Sequence, residues 1–170
     1  LEEVFKRLRW AKLKLKPSKC SLFHRKVAFL GHTISEDGVE MQQDKIEAVQ
    51  RWPTPRCLRD VRSFLGLCSY YRRFISGFAQ IAAPLHALSG KNVKFEWQQE
   101  HQAAFDELKE RLTSAPILAM PNNDGHYILD TDACDTGLGA VLSQVQDGEE
   151  RVIAYASRTL KKPERNYETT

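Results

Sequence analysis

Three acids within six positions, Asp130, Asp132 and Asp135, follow the strand-like run Tyr127-Ile128-Leu129 and precede Gly137-Leu138-Gly139-Ala140-Val141-Leu142. An ionised carboxylate set against apolar residues needs a cation, a hydrogen-bond donor or water to compensate it, so the arrangement points to a hard metal such as Mg²⁺. Strand alternation predicts Asp130 and Asp132 on one face and Thr131 on the other. Gly137 and Gly139 fit a turn or a close backbone approach as the chain doubles back. The competing reading is an ordinary hairpin whose acids belong to Asx turns.

Something must hold those acids, and the preceding residues read as the platform. Leu1, Val4, Phe5, Leu8 and Ala11 form a helical stripe that Pro17 is expected to end. Cys20–Phe23 and Val27–Ile34 read as strands, and Glu36-Asp37-Gly38 turns the chain into Val39-Glu40-Met41, giving a small antiparallel meander. Asp44 is the expected cap of a helix ending before Pro53, and Thr54-Pro55 the expected start of another lined by Cys57, Val61, Phe64, Leu65 and Cys68. Pro84 should bend or split a helix over residues 78–88. A further helix carries His101, Phe105, Leu108 and Leu112 at i, i+4, i+7 and i+11, and Ala115-Pro116 stops it. Tyr70, Tyr71 and Phe74 are read as core. Beyond residue 126, three antiparallel strands are expected.

Composition is that of a globular chain, with 42% hydrophobic and 28% charged residues. No apolar run approaches a membrane span, so no membrane partner is expected. The net charge of +3 hides an asymmetry: residues 1–75 carry 16 Lys or Arg against 8 acids, and residues 76–170 carry 9 against 14. The basic half suits a phosphate backbone and the acidic half suits a metal. The spacing of Cys20, Cys57, Cys68 and Cys134 fits neither a zinc site nor a disulfide framework, so buried, reduced thiols in an intracellular (cytoplasmic or nuclear) protein are expected.

Thr131-Asp132-Ala133 followed by Gly137-x-Gly139-Ala140-Val141-Leu142 resembles the opening hairpin of the ribonuclease H domain in gypsy-type LTR retrotransposon pol polyproteins. Ile153-Ala154-Tyr155-Ala156-Ser157-Arg158 and Glu164-Arg165-Asn166-Tyr167 resemble the same domain further on. Upstream, Phe29-Leu30-Gly31-His32, Phe64-Leu65-Gly66-Leu67 with Tyr70-Tyr71-Arg72-Arg73-Phe74-Ile75, and Phe95-x-Trp97 recur in order in that family's reverse transcriptases.

The resemblance implies an α+β chain in four parts. Residues 1–42 would be the end of a polymerase palm with its meander, 43–90 a helical thumb, 91–125 a helical connector, and 126–170 the first antiparallel strands of an RNase H-like fold. Phe29, Leu30, Gly31 and His32 would form the primer grip, with His32 or its neighbours reaching a phosphate. Arg59 and Arg62, then Arg72 and Arg73, would meet the sugar–phosphate backbone of an RNA–DNA hybrid or primer–template duplex. Asp132 would be the first catalytic acid and a ligand bridging two Mg²⁺ ions. Asp130 and Asp135 match no other family ligand.

The next family acid is expected just past Thr170, and Glu168 is not given a catalytic role. The polymerase aspartates are expected before Leu1. The chain therefore reads as a fragment of a reverse transcriptase and ribonuclease H, a partner to the rest of its polyprotein and inactive alone. The alternative is a domesticated or degraded module that binds nucleic acid or a partner without catalysis.

Overall fold

The computed structural model describes residues 1–167. Helix α1 (Glu2–Trp10) opens the chain. It ends well before Pro17. Lys12 turns left-handed at φ 57°, the Leu13 N–H returns to the Leu8 carbonyl and the Lys12 N–H to that of Arg9, which together close a Schellman motif. Pro17 instead opens a single 3-10 turn, Pro17–Lys19. No residue of α1 is buried, and Val4 and Phe5 remain 53% and 41% exposed, so its apolar stripe has no cover among the described residues.

The meander forms as strands β1 (Val27–Phe29), β2 (His32–Ser35) and β3 (Gly38–Met41), paired antiparallel in that order. Two expectations fail here. Cys20–Phe23 is not a strand, since Phe23 takes φ 61° and lies almost fully exposed. The run Val27–Ile34 is cut by a tight turn in which Leu30 and Gly31 both have positive φ, 47° and 78°.

Helices α2 (Gln43–Gln50) and α3 (Leu58–Tyr70) follow. Gln42 rather than Asp44 is the N-cap of α2; Asp44 sits in the first turn, where its charge suits the helix dipole. Thr54-Pro55 does not start α3. Cys57 is its N-cap, and the Asp60 carboxylate reaches back to accept the Arg56 N–H at 2.9 Å. Val61, Phe64, Leu65 and Cys68 are buried as their spacing predicts, whereas Cys57 is exposed. Cys20 and Cys134 are exposed too, so only Cys68 is the buried thiol expected of all four. Burial pushes that thiol up to about 12.

Residues 78–88 divide as predicted, into α4 (Phe78–Ile81) and α5 (Ala83–Leu88), with Pro84 in the first turn of α5, where its missing N–H costs nothing. Helix α6 (Gln99–Thr113) buries His101, Phe105, Leu108 and Leu112, and the His101 Nδ1 accepts the Gln98 N–H at 3.0 Å in a capping box. Phe105 lies 4.5 Å from Phe64 between ring centroids, which ties α6 to α3.

The second sheet is β4 (Tyr127–Cys134), β5 (Gly137–Gln146) and β6 (Glu149–Thr159), in the order β4-β5-β6 and antiparallel throughout. Leu118 joins it to the first. Its N–H and carbonyl both bond Val39 on β3, at 2.9 and 2.7 Å, while the Ala119 N–H donates to Val152 on β6 at 2.8 Å. One hydrophobic cluster runs from Val39 and Met41 through the helices to Leu118, with Val152 and Tyr155 packed against it. No helix among the described residues is long and apolar enough to cross a membrane.

Candidate functional site

β4 is an edge strand. Asp130 pairs with Val141 and Asp132 with Gly139, so both acids share a face with Cys134 and Gly137, and Thr131 lies on the other. The reversal is made at Asp135-Thr136; Gly137 and Gly139 lie inside β5. Only Gly137 marks a close approach, since a Cβ there would meet the Gln80 amide nitrogen at 2.8 Å and the Arg158 carbonyl at 3.0 Å. At Gly139 the nearest atom would be the Asp132 carbonyl oxygen at 3.9 Å, so the glycine leaves open space beside Asp132.

The acids face the helical unit. A cleft of about 200 Å³ is lined by Ser76, Gly77 and Gln80 from the start of α4 and by Asp130, Asp132 and Cys134 from β4. The acids are not set against a buried apolar strand as expected: both are exposed, as are Tyr127 and Leu129, at 54% and 64%. Water therefore compensates these carboxylates as it would on any surface. Among the described residues no three His, Cys, Asp or Glu side chains gather closely enough to hold a metal ion. Asp132 is an exposed carboxylate, and the described residues around it do not assemble a two-ion site. Glu168 lies outside the described residues.

Alternation shows what the motif did not. Cys134, two positions past Asp132, shares its cleft, and hydrogen bonds from the Thr136 hydroxyl and then from the Thr136 and Gly137 backbone hold its thiol below the usual range.

The Leu30-Gly31 turn is gripped by the end of α3. Tyr70 donates to the Leu30 carbonyl at 2.6 Å and Tyr71 to the Gly31 carbonyl at 2.9 Å. Phe29 and Leu30 project outward, 57% and 69% exposed. His32 does not. Its ring packs against Tyr70, Tyr71 and Phe74, with Phe74 stacked 5.7 Å away, its Nδ1 donates to the Leu30 carbonyl at 3.0 Å, and its Nε2 is buried without a partner. His32 thus shapes the turn from inside rather than reaching out of it. Tyr71 and Phe74 are core as predicted, while Tyr70 is half exposed.

The four arginines separate into two pairs. Arg59 and Arg62 lie exposed on α3, Arg62 donating to the Ser89 carbonyl at 3.1 Å. Arg72 and Arg73 fasten the helical unit to β6, through the carbonyls of Ser157 and, at 3.2 Å, Ile153. The Ser157 hydroxyl also accepts the Ala79 N–H at 2.9 Å. A sequence cannot show that role, because the acceptors lie some 80 residues away.

Across the connection, Gln144 is fully buried and fully satisfied. Its amide donates to the Asn122 and Asp124 carbonyls and accepts from the Asn122 N–H and Gln146.

An antiparallel sheet opening on an acid-bearing hairpin, docked on a helical unit, defines a class that comparison with known proteins supports: residues 97–170 match the RNase H-like domain found in reverse transcriptase. That span takes in α6 as well as the sheet. Over its whole length the chain is similar to retrovirus-related Pol polyproteins of Drosophila melanogaster, from transposon 412 (41% identity, 100% of this chain, 14% of the relative) and from transposon gypsy (40%, 99% and 17%). It is also similar to the transposon Tf2-3 polyprotein of Schizosaccharomyces pombe (33%, 98% and 13%). The chain belongs to the gypsy-type retrotransposon Pol polyprotein family. It spans 13–17% of the length of these relatives. Among solved structures it is similar to the foamy viral protease-reverse transcriptase in complex with RNA/DNA hybrid (TM-score 0.78, 27% identity, 98% of this chain, 23% of that one). A second structure of that protein, in complex with dsDNA, matches with the same score and identity over 35% of its chain.

Proposed function

We propose that this chain is the part of a reverse transcriptase and ribonuclease H that guides a primer–template or RNA–DNA duplex from the polymerase to the nuclease, and that Asp132 is a catalytic acid of RNA-strand hydrolysis. The four-part division into palm end, thumb, connector and nuclease start belongs to the same reading. The observation that carries it is the ladder: Asp132 lies opposite Gly139 near the turn of the edge hairpin, with free space beside it.

A divalent cation such as Mg²⁺, once bound, would neutralise charge at the scissile phosphate. Asp132 contributes one carboxylate to hold it, and the remaining donors come from outside the described residues. With that set incomplete, the isolated chain binds duplex without cutting it. Binding rests on the basic half: Arg59 and Arg62 are exposed on α3, and the Leu30-Gly31 turn is presented rigidly by Tyr70 and Tyr71.

The experiment is Asp132→Asn in the full-length parent enzyme, with RNA-strand cleavage and nucleotide addition measured on the same substrate. Cleavage should be abolished and addition spared. Equal loss of both, or loss of neither, overturns the assignment.

A further inference from the structure

We propose that the cleft between α4–α5 and the end of β6 is a phosphate site for the backbone of a nucleic-acid strand, lying on the path from the helical unit to the nuclease sheet. The proposal rests on the reading of the chain as a duplex-binding segment. It joins Arg72, already expected at the sugar–phosphate backbone, to Arg158, Arg165 and His86, which had been given no ligand role.

The cleft measures about 560 Å³, and its charged walls are Arg72, Arg158 and Arg165, with His86 beside them. Arg72 is held in place: it donates to the Ser157 carbonyl and lies over the Phe78 ring at 5.6 Å, which fixes the guanidinium plane and leaves other N–H groups unused. Arg158 pairs in fork geometry with Glu164, at 2.7 and 3.1 Å, and Arg165 donates to the Leu160 carbonyl at 3.3 Å. Glu164 neutralises one of the three guanidiniums, which leaves two positive charges. Partial desolvation, and then the neighbouring Arg72, push His86 below the usual histidine range, so it adds no charge near neutral pH. Like charges gathered around one cleft repel each other, and an anion among them relieves that repulsion. Guanidiniums also present paired donors that match phosphate oxygens.

The distribution of charge fits. Residues 76–170 hold nine cations against fourteen acids, yet four of the nine, Arg158, Lys161, Lys162 and Arg165, fall within eight positions, and Arg158 and Arg165 line this cleft. The end of α5 also ties the cleft wall to α3. Arg62 bonds the Ser89 carbonyl, and the Ser89 hydroxyl bonds the His86 carbonyl. Arg62 on α3 and Arg72, Arg158 and Arg165 at the cleft thus stand on elements that are hydrogen-bonded to one another.

The test is binding of the 170-residue chain to a labelled RNA–DNA hybrid by fluorescence anisotropy at several salt concentrations, for the wild type and for Arg165→Glu, His86→Glu and Arg165→Lys. Residues 86 and 165 are exposed, and circular dichroism checks that each variant folds. Both Glu variants should weaken binding about tenfold or more; Arg165→Glu, which reverses a charge, should also lower the salt slope by about one, while Arg165→Lys stays near wild type. Wild-type binding that neither Glu variant alters overturns the cleft and leaves the broader reading standing; a wild type that does not bind overturns both. Tripolyphosphate is titrated in parallel. If the Glu variants weaken its binding but not the hybrid's, the site serves a free anion and the proposal fails.

Discussion

The Tyr71 hydroxyl donates to the Gly31 carbonyl at 2.9 Å, and a Cβ placed on Gly31 would lie 2.7 Å from that same hydroxyl oxygen. The bond and the missing side chain are therefore one arrangement, and they should be coupled energetically. Tyr71→Phe loses the bond and should cost about 1 kcal/mol. Gly31→Ala adds a clash to a residue at φ 78° and should cost about 2 kcal/mol. In the double variant the clash is relieved, so urea unfolding should give less than the sum. Additivity within about 0.5 kcal/mol would show that the two positions do not touch.

A second glycine joins the two sheets. Gly38 has φ 136°, and a Cβ there would sit 2.2 Å from the Leu118 carbonyl oxygen, which accepts the Val39 N–H. Gly38→Ala should destabilise the chain by about 3 kcal/mol or more. Amide exchange should locate the damage. Val39 and Leu118 would lose protection first if the bridge is what breaks, and unchanged protection there would refute the account.

The buried amide of Gln144 makes the third case. It satisfies three backbone groups of residues 122–124 and the Gln146 side chain, so Gln144→Leu strands several polar groups at once. A loss of about 2 to 3 kcal/mol is expected, with faster amide exchange at Asn122. A near-neutral variant would mean that water replaces the amide at no cost.

Periodic features were legible in the sequence. The i, i+4, i+7, i+11 pattern of His101, Phe105, Leu108 and Leu112 depends only on helix geometry, and Pro84 acts on its own backbone, so both read correctly. The hairpin face of Asp130 and Asp132 followed from strand alternation in the same way. Helix ends were less legible, because several cap geometries compete locally: Lys12 in a Schellman motif stopped α1 before Pro17 could, and Asp60 did from inside α3 what Thr54 was expected to do from outside. Roles created by distant neighbours were not legible. Nothing near Arg72 or Arg73 announces a carbonyl on β6, nor does the sequence around Leu118 show that it would join two sheets. The exposure of Cys57 and Cys134 was missed because cysteine is usually buried and its spacing carries no face information outside a correctly placed strand or helix.

The Arg158–Glu164 pair gives the fold an acid-sensitive contact. Hydrogen bonds from Arg158, and then from the Lys161 N–H, hold the Glu164 carboxyl at about 2, against an ordinary value of 4.5. A carboxyl with a depressed folded-state pKa contributes stability that is complete above about pH 4.5 and fades as pH falls toward 2. Glu164→Gln should therefore differ from wild type at pH 6 and converge with it near pH 2. Its exposed setting makes the difference small and salt-sensitive. Direct titration of the Glu164 carboxyl by NMR is the sharper check, and a midpoint near 4.5 would remove the contact from the account.

Cys134 and Cys68 bracket the range of thiol behaviour in this chain. Cys134 is exposed, shares the cleft of Asp132, and is held below the usual thiol range by the Thr136 hydroxyl and the turn's backbone N–H groups, whereas Cys68 is buried and pushed up to about 12. Since the thiolate is the reactive species, alkylation by iodoacetamide at pH 7 should modify Cys134 fastest and leave Cys68 untouched in the folded protein. Cys20 and Cys57 are exposed as well, and their labelling provides the reference rates. Thr136→Val removes the hydroxyl donor and should slow labelling of Cys134 several-fold, leaving the other rates alone. If mass spectrometry instead finds Cys134 no faster than Cys20, or indifferent to Thr136, the turn does not stabilise the thiolate, and the thiol beside Asp132 is an ordinary surface cysteine.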